Sequence, residues 1–394
     1  MIKLVDITGK VLSGEWGSED EEGMGIPVLR TTNFTNEGII NYNNVVTRKI
    51  NKKNISKKYL QDGDIIIEKS GGSDKQPVGR VVYFKGPENT YLFNNFTGVI
   101  RVRDKKRWLP KYVFYSLYYN YFRGGTRPFE NKTTGLHNLK TDAYISTYEL
   151  EEKSYEEQVN ICSKLDKLNQ VIRLQKNELI QLNNLVKSRF IELFGDPVLN
   201  PYNWEQVTLN DVCSSIVRGP FGSALKKEFF VEPNNATYKV YEQKHAIQKS
   251  TTIGSYYITE KKFQELKRFE CMPGDILMSC SGTMGELYQL PNGCEKGIIN
   301  QALCKFTLNK KILPICFLVY MKQTVGNLET KGSGIKNIAA VSYVKQMPIN
   351  LPPMEIQKKF ETFYTQTDKS KLAVQKSLDE LETLKKSLMQ EYFG

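Results

Sequence analysis

Two polar loops carry the residues best suited to contact a nucleic acid. The first contains Gly135-Leu136-His137-Asn138, and the second contains Gly334-Ile335-Lys336-Asn337, at a constant offset of 199 residues. Asn and Thr side chains can donate to and accept from base edges, whereas Lys, Arg and His meet phosphates. Recurring glycines alone usually mark turns. Because both loops keep the same arrangement beside a basic residue, we expect both to be contact sites.

Further basic and polar residues extend these loops into two sets of candidate DNA contacts. Taken singly, each is more typical of a solvated or phosphate-facing side chain than of a base reader. The candidates in the first half of the chain are Arg30, Lys69, Arg80, Lys132, Thr134, His137 and Asn138. The candidates in the second half are Arg218, Ser223, Lys226, Lys244, Ser333, Lys336 and Asn337.

The catalytic templates compared with this sequence are all incomplete. A GxxxxGK[ST] loop, which would cradle the phosphates of ATP, does not occur. Leu351-Pro352-Pro353-Met354 lacks the polar and aromatic residues that an amino-methyltransferase loop places around Pro-Pro. Glu68 and Lys69 are neighbours in a predicted strand, so they point to opposite faces rather than into one nuclease centre. Seven cysteines without a CxxC pair and two histidines predict no metal site. We therefore predict a non-catalytic binding protein that binds no cofactor itself.

The composition favours a polyanionic partner such as double-stranded DNA. The formal charge of the chain is +12, which promotes affinity for phosphates without specifying a sequence. A Lys-rich composition that merely solvates the surface is the alternative. The longest apolar run, residues 312–321, has about ten residues and is too short to span a bilayer. No secretory leader opens the sequence. We expect a cytoplasmic protein with reduced thiols and no membrane partner.

A heptad pattern predicts a long helix over residues 155–195, and a second one occupies residues 355–394. At an offset of 199 the two segments align Gln158 with Gln357. A single narrow seam cannot stabilise a helix of about 40 residues in water, so each helix requires the other as its partner. The predicted seam residues are Ile161, Leu165, Leu168, Ile172, Leu179, Leu182, Val186, Leu193, Phe360, Val374, Leu378, Leu381 and Leu388.

The segments that precede the two helices also repeat. Gly63-Asp64-Ile65-Ile66 is matched by Gly274-Asp275-Ile276-Leu277, and Leu109-Pro110 by Leu313-Pro314. We predict an α+β fold with two mixed α/β domains in tandem repeat, separated by two long helices that form an antiparallel coiled coil. The predicted parts are the first domain at 1–150, the first helix at 151–197, the second domain at 198–350 and the second helix at 351–394.

Two motifs stand at the boundaries of the helices. One is Leu351-Pro352-Pro353 leading into Glu355-Ile356-Gln357, and the other is KSRFIELFGDP, from Lys187 to Pro197, followed by Asn203-Trp204. Together they resemble the specificity (S, or HsdS) subunits of type I restriction–modification systems, and the resemblance covers the whole chain. The sequence departs from the family pattern before Gln158, where Leu-Pro-Pro is missing.

The resemblance implies two target-recognition domains that each read one half of a split DNA site, with the coiled coil as spacer. It also implies assembly with two methyltransferase (M) subunits and, for cleavage, with restriction (R) subunits. S-adenosylmethionine, ATP and Mg²⁺ would then be bound by those partners. Two alternatives stay open. One is the specificity subunit of a system whose partner fuses methyltransferase and nuclease, and the other is a coiled-coil protein that binds DNA without sequence preference.

Overall fold

The computed structural model of the chain describes residues 1–394 except 52–54, 134–135, 325–329, 332–336 and 339–340. The described chain divides into two compact units. The first unit contains Met1–Lys176 and Lys376–Gly394, and the second unit contains Asn177–Gln375. Each unit combines helices with β-sheets, which confirms the predicted α+β class.

Strand Ile65–Glu68 lies inside the first unit and is buried on both faces. Ile65 and Ile67 join the core that contains helix Pro110–Phe122, whereas Ile66 packs into a separate core. Because successive side chains of a strand point to opposite faces, a continuous isoleucine run suits a strand between two cores. Its sheet has the strand order Leu12–Ser13, Thr97–Ile100, Ile65–Glu68 and Val81–Tyr83.

The remaining strands of the first unit form smaller groups. One sheet has the order Ser18–Glu19, Val46–Lys49, Ile26–Leu29 and Leu92–Phe93, in which the last two strands are parallel. Another has the order Glu130–Thr133, Leu136–Leu139 and Ser70–Gly72, and Ile2–Lys3 pairs with Glu149–Leu150. The α-helices that precede the long helix are Leu4–Thr8, Pro110–Phe122 and Thr141–Thr147.

The second unit repeats this arrangement. Its main sheet has the order Cys213–Arg218, Leu303–Leu308, Ile276–Ser279 and Leu287–Gln289. The other groups are Tyr257–Thr259, Thr237–Tyr241, Gly297–Ile299 and Glu270–Cys271, then Thr330–Lys331 with Asn337–Ile338, and Glu205–Thr208 with Pro348–Leu351. The shorter α-helices are Leu209–Val212, Gln243–Gln248, Glu260–Glu265, Pro314–Thr324 and Val341–Gln346.

The repeated Gly-Asp pair is architectural in both units. The carboxylate of Asp64 accepts two hydrogen bonds from the guanidinium of Arg101, each 2.7 Å long. The carboxylate of Asp275 lies 3.2 Å from Nζ of Lys305. Both aspartates are buried. Since a buried carboxylate needs a partner, each pair fixes the start of the central strand to a neighbouring strand.

The two long helices are Tyr155–Phe194 and Met354–Phe393, and each contributes part of its length to both units. Every predicted seam residue is buried or half-buried. In the first unit, Nε2 of Gln175 donates to Oγ of Ser377 at 2.8 Å, while Ile161 lies in the same core as Met389. Residue numbers that rise along one helix therefore meet falling numbers on the other, which makes the pairing antiparallel.

In the second unit the seam is aromatic. The ring centroid of Phe360 lies 5.3 Å from that of Phe190 and 5.5 Å from that of Phe194. The helix ends at Gly195, whose φ of +77° suits a residue without a side chain. Nε1 of Trp204 donates to the carbonyl oxygen of Phe194 at 3.0 Å. The LFGDP and Asn-Trp motif thus gives the last carbonyl group of the helix a hydrogen-bond partner and leads the chain to strand Glu205–Thr208.

A buried glutamine joins each long helix to the start of a core helix. Oε1 of Gln158 accepts the backbone N–H of Leu109 at 2.8 Å, and its Nε2 donates to the carbonyl oxygens of Arg107 and Lys153, both at 2.9 Å. The amide group therefore satisfies backbone atoms just before the core helix, which begins at Pro110, and just before the long helix, which begins at Tyr155.

Gln357 makes the corresponding bonds in the second unit. Its Oε1 accepts the N–H of Leu313 at 2.9 Å, and its Nε2 donates to the carbonyl oxygens of Lys311 and Pro352, both at 3.0 Å. Both glutamines have no exposed surface. The first junction therefore keeps the glutamine contacts although it lacks the Leu-Pro-Pro sequence.

Among the residues that the structure describes, no helix is long and apolar enough to cross a membrane.

Replacing Gln158 with Ala should destabilise the first unit by roughly 3 kcal/mol, because buried backbone groups lose their partners. Urea unfolding measures this loss, and hydrogen exchange should show faster exchange of the Leu109 amide. Gln170→Ala on the exposed side of the same helix is the matched control, with little change expected. Equal stability of the two variants would contradict the role assigned to Gln158.

Candidate nucleic-acid interface

Polar turns of the second unit meet at one end of its strands. We call this set, residues 218–223, 242–244, 281–283 and 300–301, the second-unit edge. The N–H of Asn300 donates to the carbonyl oxygen of Tyr241 at 2.9 Å, and Nε2 of Gln243 donates to the carbonyl oxygen of Thr283 at 3.1 Å. A Cβ atom on Gly219 would lie 1.9 Å from the carbonyl oxygen of Asn300, so this close approach requires glycine.

The first unit presents the same set of turns at residues 14–17, 30–33, 69–72 and 94–96, which we call the first-unit edge. The N–H of Asn94 donates to the carbonyl oxygen of Leu29 at 3.0 Å. The N–H of Lys69 donates to the carbonyl oxygen of Phe96 at 2.8 Å. A Cβ atom on Gly14 would lie 2.0 Å from the carbonyl oxygen of Asn94. The backbone frame is therefore repeated in detail.

Sequence reasoning did not identify the turns that contain Asn94 and Asn300. Each is followed by an exposed amide side chain, Asn95 in the first unit and Gln301 in the second. Amide side chains are suited to read base edges because they both donate and accept. The available signal was the recurrence of an apolar-Asn-amide triplet, Phe93-Asn94-Asn95 and Ile299-Asn300-Gln301.

Five of the predicted contact residues lie within the two edges. The first-unit edge contains Arg30 and Lys69, and the second-unit edge contains Arg218, Ser223 and Lys244. Both residues of the first edge are half-buried, and Ser223 is exposed. The sequence-based assignment of these residues as DNA contacts stays a prediction.

Other predicted contact residues lie elsewhere. Lys132, His137 and Asn138 are on paired strands next to Ser70–Gly72, and Lys226 lies just beyond residues 218–223. Thr134, Ser333 and Lys336 are outside the described residues, as are the side chains of Lys132 and Asn337; Asn337 belongs to a strand that pairs with Thr330–Lys331.

Arg80 is engaged inside the first unit. Its Nη2 lies 3.4 Å from Oε1 of Glu68 and donates to the carbonyl oxygen of Thr31 at 3.0 Å, and its Nη1 donates to that of Phe34 at 3.3 Å. Burial raises the pKa of Glu68, and the charge of Arg80 opposes this rise. These contacts suit an arginine that holds the turn after Arg30 in place.

His137 is also enclosed by protein groups. Its Nδ1 lies 2.9 Å from Oε2 of Glu130, and its Nε2 lies 3.5 Å from Oδ1 of Asp74. Only 5% of its surface is exposed. A histidine between two carboxylates favours a structural role in joining the loop 73–77 to strand Glu130–Thr133.

Cations of the second unit differ in their availability. Nζ of Lys244 lies 2.6 Å from Oε2 of Glu242, and Nζ of Lys226 lies 3.7 Å from Oε1 of Glu228. The guanidinium of Arg218 lies 5.0 Å from the ring centroid of Phe221. Because exposed ion pairs are weak, a phosphate can compete for Lys226 more readily than for Lys244, whose partner Glu242 is mostly buried.

The edges offer amide, hydroxyl and cationic groups, which suit non-covalent recognition of a polar polyanion. Among the described residues, no group of three or more His, Cys, Asp or Glu residues could hold a metal ion.

In one turn of each unit, a backbone N–H group donates to the side chain three residues later. The accepting side chain differs between the two units. The N–H of Arg30 donates to Oδ1 of Asn33 at 2.9 Å, and the N–H of Glu242 donates to Nδ1 of His245 at 2.8 Å. Nε2 of His245 then carries the hydrogen and donates to the carbonyl oxygen of Ile253 at 2.8 Å. The buried imidazole must stay neutral to make both contacts.

Comparison with known proteins places both halves of the chain in one family. Residues 2–184 and 201–383 each match the model of the type I restriction modification DNA specificity domain. One similar solved structure concerns the complex assembly and conformational transition of the type I R-M system. It has 16% identity and a TM-score of 0.61, and the match covers 100% of this chain and 96% of that chain.

A second similar structure is the S subunit of a type I restriction-modification system from M. genitalium. It has 13% identity and a TM-score of 0.54, and the match covers 100% of this chain and 95% of that chain. At these identities the likeness concerns the fold.

The neutral state of His245 makes the second unit sensitive to acid. Burial lowers the pKa of His245 below its ordinary value, so the unfolded chain takes up the proton first. This stability is complete above about pH 6.5 and is lost as the pH falls, at up to about 1.4 kcal/mol per pH unit. His245→Asn, which copies Asn33, should flatten the decline between pH 7 and 5.5 in urea unfolding. The same decline in both proteins would contradict this explanation.

Proposed function

Because the chain belongs to the family of type I restriction modification DNA specificity domains, we propose that it is the DNA sequence-specificity subunit of a type I restriction–modification complex. The observation that carries this proposal is the double match to the family. Each match falls mainly on one compact unit, and each unit has the same edge of polar turns. Two similar but chemically different edges suit the recognition of two different half-sites.

At each edge, cationic side chains would bind phosphates and amide side chains would bind base edges of the half-site. Lys69 in the first unit and Lys226 and Lys244 in the second would meet phosphates, which fixes the register on the duplex. Amide side chains such as Asn95 and Gln301 would then distinguish base pairs in the groove. This division predicts that charge sets affinity and the amide turns set sequence preference.

The chain would also organise its enzyme partners. We propose that two M subunits bind to the exposed faces of the long helices and that R subunits join for cleavage. The internal repeat supports a count of two, because two similar surfaces suit two copies of one partner. S-adenosylmethionine, ATP and Mg²⁺ would be bound by these partners in the cytoplasm, and this chain would supply the choice of site.

The long helices would set the length of the unread spacer between half-sites. A helix of about 40 residues is about 60 Å long, whereas half-sites one DNA turn apart are about 34 Å between centres. This leaves room for oblique seating of the duplex. Helix length would therefore determine spacer length.

Inserting four helical residues between Lys176 and Asn177 should lengthen the spacer of the methylated motif and leave both half-sites unchanged. The insertion adds about 6 Å, or nearly two base pairs. Sequencing the methylome of a strain that carries the variant measures the spacer. A four-residue insertion in the exposed turn at Asn234-Asn235 is the control and should leave the motif intact. A fixed spacer in the helix variant would refute the spacer role.

Replacing residues 203–350 with the corresponding segment of another family member should change one half-site and preserve the other. The physical reason is that each unit has its own core and its own edge. Methylome sequencing of the hybrid strain tests this, and the reciprocal replacement of residues 1–150 serves as its counterpart. A change of both half-sites by a single replacement would contradict the assignment of one half-site to each unit.

A further inference from the structure

Each edge presents a large aromatic side chain to solvent. Phe221 of the second-unit edge is 63% exposed, and Phe96 of the first-unit edge is 53% exposed. Removing an apolar ring from water is favourable, so a phenylalanine exposed at a polar surface gains from a partner that covers it. Single exposed apolar residues are common on proteins. Exposure alone therefore does not indicate a binding partner, and the backbone and surroundings of the two rings must be considered.

Backbone hydrogen bonds hold Phe96 itself and Gly219, two residues before Phe221. The turn before Phe221 begins at Gly219, which approaches Asn300 so closely that no side chain fits, and the N–H of Gly219 donates to the carbonyl oxygen of Leu303 at 3.0 Å. The carbonyl oxygen of Phe96 accepts N–H groups from Lys69 and Ser70 at 2.8 and 3.2 Å. Little backbone entropy is therefore lost when these rings are covered, and the remaining cost is that of fixing the side-chain rotamers.

The surroundings of these rings are polar and cationic. The guanidinium of Arg218 lies 5.0 Å from the ring centroid of Phe221, and the exposed residues Ser223 and Lys226 follow within five positions of the sequence. Phe96 is hydrogen-bonded through its backbone to Lys69. An apolar ring flanked by cationic and polar groups suits the major groove of a duplex, where thymine methyl groups lie among polar base edges between the phosphates.

We propose that Phe221 and Phe96 make direct apolar contact with base pairs, each within the half-site bound by its own unit. The occupant of these exposed rings is thus the duplex itself, through base faces at a distorted step or thymine methyl groups. This inference rests on the proposed function, because it requires that each unit binds a half-site. It adds residues of a type that the sequence-based contact set did not contain.

The two units would use the aromatic at different points of one shared frame. The position equivalent to Phe221, two residues after the close-packed glycine, is Trp16 in the first unit. Trp16 is half-buried, and the guanidinium of Arg48 lies 4.3 Å from its ring centroid. The first unit therefore offers Phe96 instead. Different positions of the ring give the two edges different apolar contacts, as two unlike half-sites require.

The test uses the full chain assembled with its methyltransferase partner and a duplex whose sequence is taken from the host methylome. Phe221→Ala should bind this duplex roughly tenfold more weakly at fixed salt, as expected for the loss of one base–aromatic contact. Binding to a scrambled duplex should not change. Phe221→Trp should restore most of the affinity. Met272→Ala is the matched control, because Met272 is 52% exposed on the same unit but precedes strand Ile276–Ser279 at its far end.

A second measurement assigns the contact to a half-site. In Phe221→Ala, the affinity penalty for base substitutions in one half-site should shrink, while the penalty in the other half-site stays. Phe96→Ala should give the reverse pattern. Thermal unfolding should be unchanged in these variants because both side chains are exposed.

The outcomes separate the two levels of the proposal. If the wild-type complex binds cognate and scrambled duplexes equally, the proposed function fails. If wild type discriminates but Phe221→Ala binds the cognate duplex as tightly as wild type, the aromatic contact alone is refuted. Equal losses on cognate and scrambled duplexes, or an equal loss in Met272→Ala, would also overturn it.

Discussion

The buried glutamine at the start of each long helix is the contact on which the rest of each unit depends. Gln158 and Gln357 bind the backbone at the start of a core helix and the backbone just before their own helix. Because both amides are fully buried, their three hydrogen bonds cannot be replaced by water. The direction of the long helix is thereby tied to the core helix, which packs on the sheet that supports the edge. Two fully buried side chains therefore join each long helix to the core that carries the edge of its unit.

Charge at the edges has to be separated from charge that stabilises the fold. The chain carries a net +12, yet Arg80, Arg101 and Lys305 pair with buried or nearly buried carboxylates inside their units. Such residues satisfy buried acids and cannot move to a phosphate without leaving a carboxylate unpaired. The lysines with weak, exposed partners are better suited to neutralise DNA. Net charge therefore overstates the number of cations available at the interface.

The two units keep the same backbone arrangement at their edges but carry different side chains on it. The turns at residues 30–33 and 242–245 share one backbone contact, but its acceptor is an amide in one unit and an imidazole in the other. The glycine approach at Gly14 and Gly219 is common to both edges, whereas the following aromatic is half-buried Trp16 in one and exposed Phe221 in the other. The turn at residues 30–33 and 242–245 tolerates the exchange of amide for imidazole because Asn33 and His245 both provide an acceptor for the same backbone N–H group.

The sequence by itself determined the two heptad helices, their mutual dependence, the tandem repeat and the α+β class, because periodicity and repeated motifs are local and survive divergence. It also located Arg30, Lys69 and Lys244 near what became the edges. Only the tertiary structure decided that Arg80 and His137 lie among carboxylates and that Asn95, Gln301, Phe96 and Phe221 stand at the strand ends. Burial and pairing depend on which distant strands become neighbours, and a residue type does not encode that. The loops of the sequence predicted polar and basic contact residues, but the pairing of distant strands determines which side chains are exposed to solvent.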